Sequence, residues 1–411
     1  MTSLLDFSRE LLMEQIAEVD HVIDGHDPDK IRASGFVANE MTAVEGRRWL
    51  YGKHLIRGYV AATVSPGGVG KTTLELIEAV ALATGRDLLG VPVRERVRVW
   101  HYNLEDPRSE LLRRVWAICE HFEIPPIELE GWLFLDSGRD RKLIVAEPFE
   151  GLVCATPAVE QLVSEMQRLD VCVLQVDPFV KSHWGGENDN KEIDAVLDVF
   201  GDVAKRCNAA VDLVHHTRKP PSGFVATAGD INTARGAGAF AGAVRSARTV
   251  TPMSDKEAEV FEIESNRRGW YVRVDDAKGN MSAPASDAVW FERFSVELSN
   301  GDYVGVLCSW APPDPFDGLG VGGARDALMV IEQGLDDGQR YTWTQRSVGR
   351  WVGSVLVDLG LSEAAAKSVI ATWKKNGVLH SKQYRNPVRR REEEGIFVEL
   401  SKLPGVKNDV L

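Results

Sequence analysis

Paired cysteines are missing from this sequence. Its five cysteines, Cys119, Cys154, Cys172, Cys207 and Cys308, are scattered, odd in number and never in a CxxC arrangement. That argues against a disulfide framework and against a zinc site, and they read as buried thiols of a reducing compartment. Long hydrophobic runs are missing too. No apolar stretch approaches the ~18 residues of a membrane span, and the opening MTSLLDFSRE lacks the basic region that precedes the apolar part of a signal peptide. The expectation is a soluble, cytoplasmic protein with no membrane contact. Positive charge is in deficit: Lys plus Arg number 48 against 61 Asp plus Glu, a net of −13. The field of the whole chain repels a polyanion at long range, so any nucleic-acid contact has to come from a local basic surface.

With 411 residues, the chain exceeds the ~250–300 at which single cores stop growing, and two domains are expected. Residues 1–44 form an N-terminal segment, with helical spacing over Leu4–Val19 and then polar, acidic residues broken by Gly25 and Pro28. Over residues 45–310 short apolar runs alternate with helix-period stretches, which predicts an α/β domain with a mostly parallel sheet covered on both faces. The clearest strands are Tyr59–Val64, Val97–Tyr102, Val171–Val176 and Ala209–Val214; the helical stretches are Thr73–Leu82, Ser109–His121, Ala158–Leu169 and Glu192–Arg206. Residues 311–324, dense in Pro, Gly and Asp, read as a linker. Residues 325–411 read as a second domain, with helices over Thr342–Leu356 and Ser362–Asn376 and a hairpin in HSKQYRNPVRRREEEGIFVEL. Helix, helix, hairpin is a winged-helix pattern.

The chemistry concentrates at strand ends. SPGGVGKTT, Ser65 to Thr73, follows the strand YVAATV and precedes a helix, the context in which a glycine-rich string cradles phosphate. Pro66, Gly67, Gly68, Val69, Gly70, Lys71, Thr72 and Thr73 are the expected nucleotide contacts. Lys71 reaches the β- and γ-phosphates and the Thr72 hydroxyl ligands Mg²⁺. The strict pattern has glycine where this chain has Ser65. VCVLQVDPF ends in Asp177, whose carboxylate can hold the Mg²⁺ hydration shell beside that loop. RVRVWHYNLED ends in Glu105 and Asp106, and a Glu at the edge of the strand next to the P-loop strand can act as general base for the attacking water. AAVDLVHHTRK places His215 and His216 at a strand end, where a side chain can touch the γ-phosphate and report its loss. The long loop after them carries Arg218, Lys219 and Arg235 and is a candidate DNA contact, with KSHWGGENDNKE after Asp177 as its shorter partner.

Taken together, PGGVGKTT, NLED, the apolar run into Asp177, ENDN, LVHHTRK and RGAGAFAGAVR resemble the RepA-type hexameric replicative helicases of plasmids, which belong to the RecA/KaiC-like ATPases. The resemblance covers about residues 45–310. It implies a RecA-like P-loop core, a homo-oligomeric ring with ATP and Mg²⁺ between subunits, a catalytic Glu matching Glu105, and a His sensor matching His216 best. It also implies an arginine from the neighbouring subunit. Two positions fit, Arg245 at the end of RGAGAFAGAVR and Arg267 in ESNRRGW, the latter similar to a Lys-Asn-Arg strand motif but with Ser265 in place of the lysine.

The tail departs from this pattern. Lys374, Lys375, Lys382, Arg385, Arg389, Arg390 and Arg391 cluster in the expected recognition helix and wing, an electrostatic footprint of phosphate contact. Glu392, Glu393 and Glu394 follow at once, so a self-neutralised hairpin tip is the alternative. The expected activity is ATP hydrolysis that drives translocation or unwinding of DNA in replication of a mobile element, with single strands held in the pore and duplex at the tail. The competitors are an ATP-switched DNA-binding regulator without unwinding activity and a KaiC-like signalling ATPase.

Overall fold

The computed structural model describes residues 33–186, 189–217, 228–231, 237–282, 288–347 and 349–403. The expected helix at Leu4–Val19 lies outside these residues. The chain divides into two units, Met1–Arg47 and Arg48–Leu411. In the first, one helical turn, Glu40–Ala43, buries none of its residues.

In the second unit a nine-stranded sheet comprises β1 (Val60–Ser65), β2 (Arg98–Asn103), β3 (Leu133–Ser137), β4 (Val171–Asp177), β5 (Ala210–His216), β6 (Ser246–Pro252), β7 (Tyr271–Gly279), β8 (Val289–Glu297) and β9 (Tyr303–Trp310). Their order is β3-β2-β4-β5-β1-β6-β7-β8-β9. The strands from β3 to β6 in that order run parallel, and β7, β8 and β9 extend the sheet antiparallel. This is the mostly parallel α/β sheet expected of a P-loop NTPase core.

The central strands β1 and β4 are buried along their whole length, so they read as continuous apolar runs rather than alternating ones. Helices α1 (Lys71–Thr84) and α2 (Arg108–His121) pack Leu74, Ile77, Leu111 and Ile118 on one face. Helices α3 (Ala158–Leu169), α4 (Asn190–Cys207) and α5 (Ala237–Ala243) pack Leu162, Met166, Val196, Phe200 and Phe240 on the other. Helix ends obey local chemistry. Asp189 caps α4 by accepting from the N–H groups of Lys191 and Glu192. Gly85 ends α1 at φ 75° and donates its N–H to Ala81 O. After β6 a short helix, α6 (Asp255–Val260), starts with a capping box between Ser254 and Glu257.

The C-terminal part has its own core, built by α7 (Gly320–Gln333), α8 (Ser354–Asp358), α9 (Glu363–Lys375) and a hairpin of β10 (Leu379–Arg385) and β11 (Glu392–Val398). Helix α7 begins inside the segment read as linker. Its four nearby glycines mask Leu319, Ala324, Ala327, Leu328 and Ile331, which are buried at helical spacing. Residues 342–347 and 349–353 are not helical: Thr342 bridges Trp351 and Gly349 has φ +73°, and the helix forms only over Ser354–Asp358. Trp373 is core, and the Tyr384 hydroxyl accepts from the Arg340 N–H.

Candidate nucleotide site

Strand β1 ends at Ser65 and α1 starts at Lys71, so the phosphate loop spans the C-terminal edge of the sheet. Ser65 is a fully buried strand residue rather than a loop residue; its hydroxyl donates to Pro66 O at 2.9 Å. Gly68 and Gly70 have φ of +76° and +96°, backbone that side-chain-bearing residues rarely adopt. A Cβ on Gly67 or Gly68 would meet nothing within 4 Å, so the loop is open for a ligand to approach closely. Val69 is buried against the α1–α2 core and anchors the loop. Lys71 is 8% exposed and has no carboxylate at ion-pair distance among the described residues.

The Thr72 hydroxyl donates to Asp177 Oδ2 at 2.5 Å, and Asn103 Nδ2 donates to the same oxygen at 3.2 Å. Burial pushes the Asp177 carboxyl above its ordinary value, the Thr72 bond and the Lys71 charge pull it down, and the charges of Glu105 and His216 also act on it. Lys71 and Thr72 follow β1, Asp177 ends β4, His216 ends β5 and Glu105 follows β2, so the five share the C-terminal edge of the parallel strands. A hydroxyl and a carboxylate are hard oxygen donors and suit Mg²⁺. An unpaired lysine at a helix N-terminus suits a phosphate chain.

Glu105 sits two residues beyond the end of β2, with its N–H bonded to Asn103 Oδ1 at 2.9 Å and its carboxylate 3.0 Å from Lys181 Nζ. Its strand is not next to the P-loop strand, which corrects the sequence expectation. β4 and β5 lie between β1 and β2. The register that pairs Asn103 with Asp177 brings the Glu105 end of β2 beside the Asp177 end of β4 instead.

The two histidines separate. His216 pairs in register with Ser65 at the sheet edge. His215 was expected to contact the cofactor, but it is buried in an aromatic cage, stacked on Phe240 at 4.8 Å and edge-on to Phe179 at 5.4 Å. Side chains alternate along a strand, so only one of two consecutive histidines can face the site; His215 is a packing residue.

Arg245 lies beyond the end of α5 and donates its N–H to Val60 O at 3.0 Å. That is the N-terminal end of β1, opposite to the P-loop. Arg267 lies in an exposed turn and pairs with Glu292 at 3.0 Å. Arg218, Lys219 and Arg235 lie outside the described residues.

Two features carried no motif. Arg248 of β6 sits buried beneath α1, bonded to Glu78 at 2.5 Å, Glu75 at 2.9 Å and Thr63 at 2.9 Å, and 3.7 Å from Asp212, which His54 meets at 2.9 Å. Glu75, Glu78 and Asp212 converge closely enough to hold a metal ion, but the guanidinium already supplies the cation between them. The signal available in the sequence was a charge inside each of the apolar runs LELIEAVAL, AAVDLV and SARTV. The second feature is Arg293 of β8, whose guanidinium bonds to the P-loop carbonyls of Gly68 and Val69.

Among the described residues no helix is long and apolar enough to cross a membrane. Residues 27–222 match the family model described as an AAA domain, and this match, joined to the loop and sheet edge above, identifies that stretch as a P-loop ATPase domain of the AAA type.

Proposed function

We propose that the protein is an ATP-hydrolysing DNA translocase or helicase of the RepA type that works as a homo-oligomeric ring, a hexamer by resemblance, in replication of a mobile element. The observation that carries this reading is the convergence at one sheet edge of Lys71, the Thr72–Asp177 pair, Glu105 and His216. Lys71 and the P-loop N–H groups of Gly67 to Thr73 hold the phosphates. Thr72, with Asp177 behind it, would hold Mg²⁺, which would supply positive charge to neutralise the phosphates. Glu105 takes the proton of the attacking water, and His216 senses the γ-phosphate. Arg245 or Arg267 of the neighbouring subunit supplies the charge that stabilises the transition state.

Support for coupling to DNA comes from Lys181. It lies in the loop after Asp177 that we assign to single-stranded DNA, and it is the ion-pair partner of Glu105. A strand phosphate that draws Lys181 away frees the base, which ties strand contact to hydrolysis. At the tail, the winged-helix reading assigns duplex contact to α9 and the hairpin. Arg389 and Arg391 share the one carboxylate of Glu393, which offsets part of their charge, while Lys375, Arg385 and Arg390 are exposed cations.

The test is steady-state ATP hydrolysis with and without single-stranded DNA, with Lys71→Ala as the blank. Several-fold stimulation absent from the variant supports the motor. Slow turnover indifferent to DNA sinks it and favours an ATP-switched regulator.

A further inference from the structure

Arg293 comes from the antiparallel extension of the sheet, outside the stretch that matches the AAA domain, yet its side chain ends on the phosphate loop. One terminal nitrogen donates to Gly68 O at 3.3 Å and to Val69 O at closer range. A Cβ on Gly70 would meet the same nitrogen at 3.4 Å. The cation has no ion-pair partner among the described residues, its buried Nε has no acceptor, and burial alone lowers its pKa. A half-buried guanidinium is normally matched by a carboxylate. Here its acceptors are two carbonyls of the loop.

The peptide bond is planar and trans, so each carbonyl points opposite to the N–H of the next residue. The carbonyl of Gly68 shares its peptide with the N–H of Val69, and the carbonyl of Val69 with the N–H of Gly70. Holding both carbonyls on the Arg293 side turns those two N–H groups toward the other side of the loop. A charged donor on a carbonyl also polarises the peptide and strengthens its N–H as a donor. An anion bound by those N–H groups supplies the counter-charge that Arg293 otherwise lacks.

We infer that Arg293 is a positioning residue of its own subunit's nucleotide site: it clamps the outer face of the phosphate loop and aims the Val69 and Gly70 N–H groups at the bound phosphates. The inference rests on the phosphate-loop reading under Proposed function. It assigns part of the nucleotide site to a strand that is remote in sequence from the loop. Because the clamp acts on the backbone of the phosphate loop, it acts on binding of ATP and ADP alike and has little effect on the chemical step.

The experiment titrates fluorescent ATP and ADP analogues into full-length wild type, Arg293→Ala, Arg293→Gln and Arg293→Lys, together with kcat, KM and the nucleotide-free melting temperature. A charged donor of this kind is worth about 10- to 100-fold in affinity. The expected result is loss of that size for both nucleotides in Ala and Gln and a raised KM, with kcat within about threefold. Partial recovery is expected in Lys, which keeps the charge and reaches one carbonyl. The nucleotide-free melting temperature stays near wild type. Wild-type affinity in the Ala or Gln variant overturns the inference. So does loss of affinity that tracks a fall in nucleotide-free melting temperature and is not rescued by Lys. Failure of the wild-type protein to bind either nucleotide overturns the phosphate-loop reading itself, a separate outcome.

Discussion

Lys181 Nζ lies 3.0 Å from Glu105 Oε1 across the ends of two adjacent strands, β4 and β2. Both side chains are about half exposed, so the pair contributes little to stability and can open without cost to the fold. Glu105→Gln is expected to lower kcat by about 10²- to 10⁴-fold while nucleotide binding persists. Lys181→Ala is expected to raise DNA-independent turnover and shrink the stimulation by single-stranded DNA. Stimulation equal to wild type in Lys181→Ala would break the proposed coupling.

The Thr72–Asp177 contact predicts a metal phenotype. Asp177→Asn keeps the size and a hydrogen-bond acceptor but removes the charge that steadies the Mg²⁺ shell. The Mg²⁺ concentration for half-maximal hydrolysis should rise by about 10- to 100-fold. An unchanged Mg²⁺ titration curve would remove Asp177 from the metal site.

His101 predicts an acid limb in stability. Burial pulls its imidazole down to about 4 from an ordinary 6.5, although its Nδ1–H donates to Gln175 Oε1 at 3.0 Å. In the fold it is neutral, while in the unfolded chain it gains a proton below about 6.5. Its contribution is therefore complete above pH 6.5 and is lost as pH falls from 6.5 toward 4, on the order of 3 kcal/mol in all. Urea unfolding of His101→Gln should show a flatter decline over that window; an identical decline would refute the assignment.

Arg248 holds three buried carboxylates together. Arg248→Met leaves Glu75, Glu78 and Asp212 without their shared cation and should cost about 3–5 kcal/mol, read from urea midpoints at neutral pH. A loss below 1 kcal/mol would mean that the carboxylates take up protons and share them without the guanidinium.

The tail predicts a contrast between two sets of arginines. Removing Lys375, Arg385 and Arg390 together should flatten the dependence of log K for duplex DNA on log salt by about 2–3 units. Arg389→Ala with Arg391→Ala should flatten it by a smaller amount, because the two side chains share the carboxylate of Glu393, which offsets part of their charge. Equal effects in fluorescence-anisotropy titrations across salt would contradict the split.

Much of the fold was legible because its signals are local. The strands β1, β2, β4 and β5 and the helices α1 to α4 fall within one or two residues of their sequence positions, since apolar runs and helical spacing mark them directly. The tail was harder to read. Glycines concealed α7, and apolar spacing over Thr342–Leu356 imitated a helix that Gly349 and the Thr342–Trp351 bridge prevent.

By itself, the sequence determined the phosphate loop and the three strand ends that carry Asp177, Glu105 and His216. Each is a short segment whose residues must be contiguous to work. Only the tertiary structure decided which strands are neighbours, and so which chemical groups meet. It put Glu105 beside Asp177 rather than beside the loop, turned His215 into the core while leaving His216 at the edge, gathered Glu75, Glu78, Asp212 and Arg248 under α1, and carried Arg293 to the loop from more than two hundred residues away. Those relations depend on hydrogen-bond register between distant strands and on which face of the sheet a side chain takes, and periodicity along a single strand contains neither.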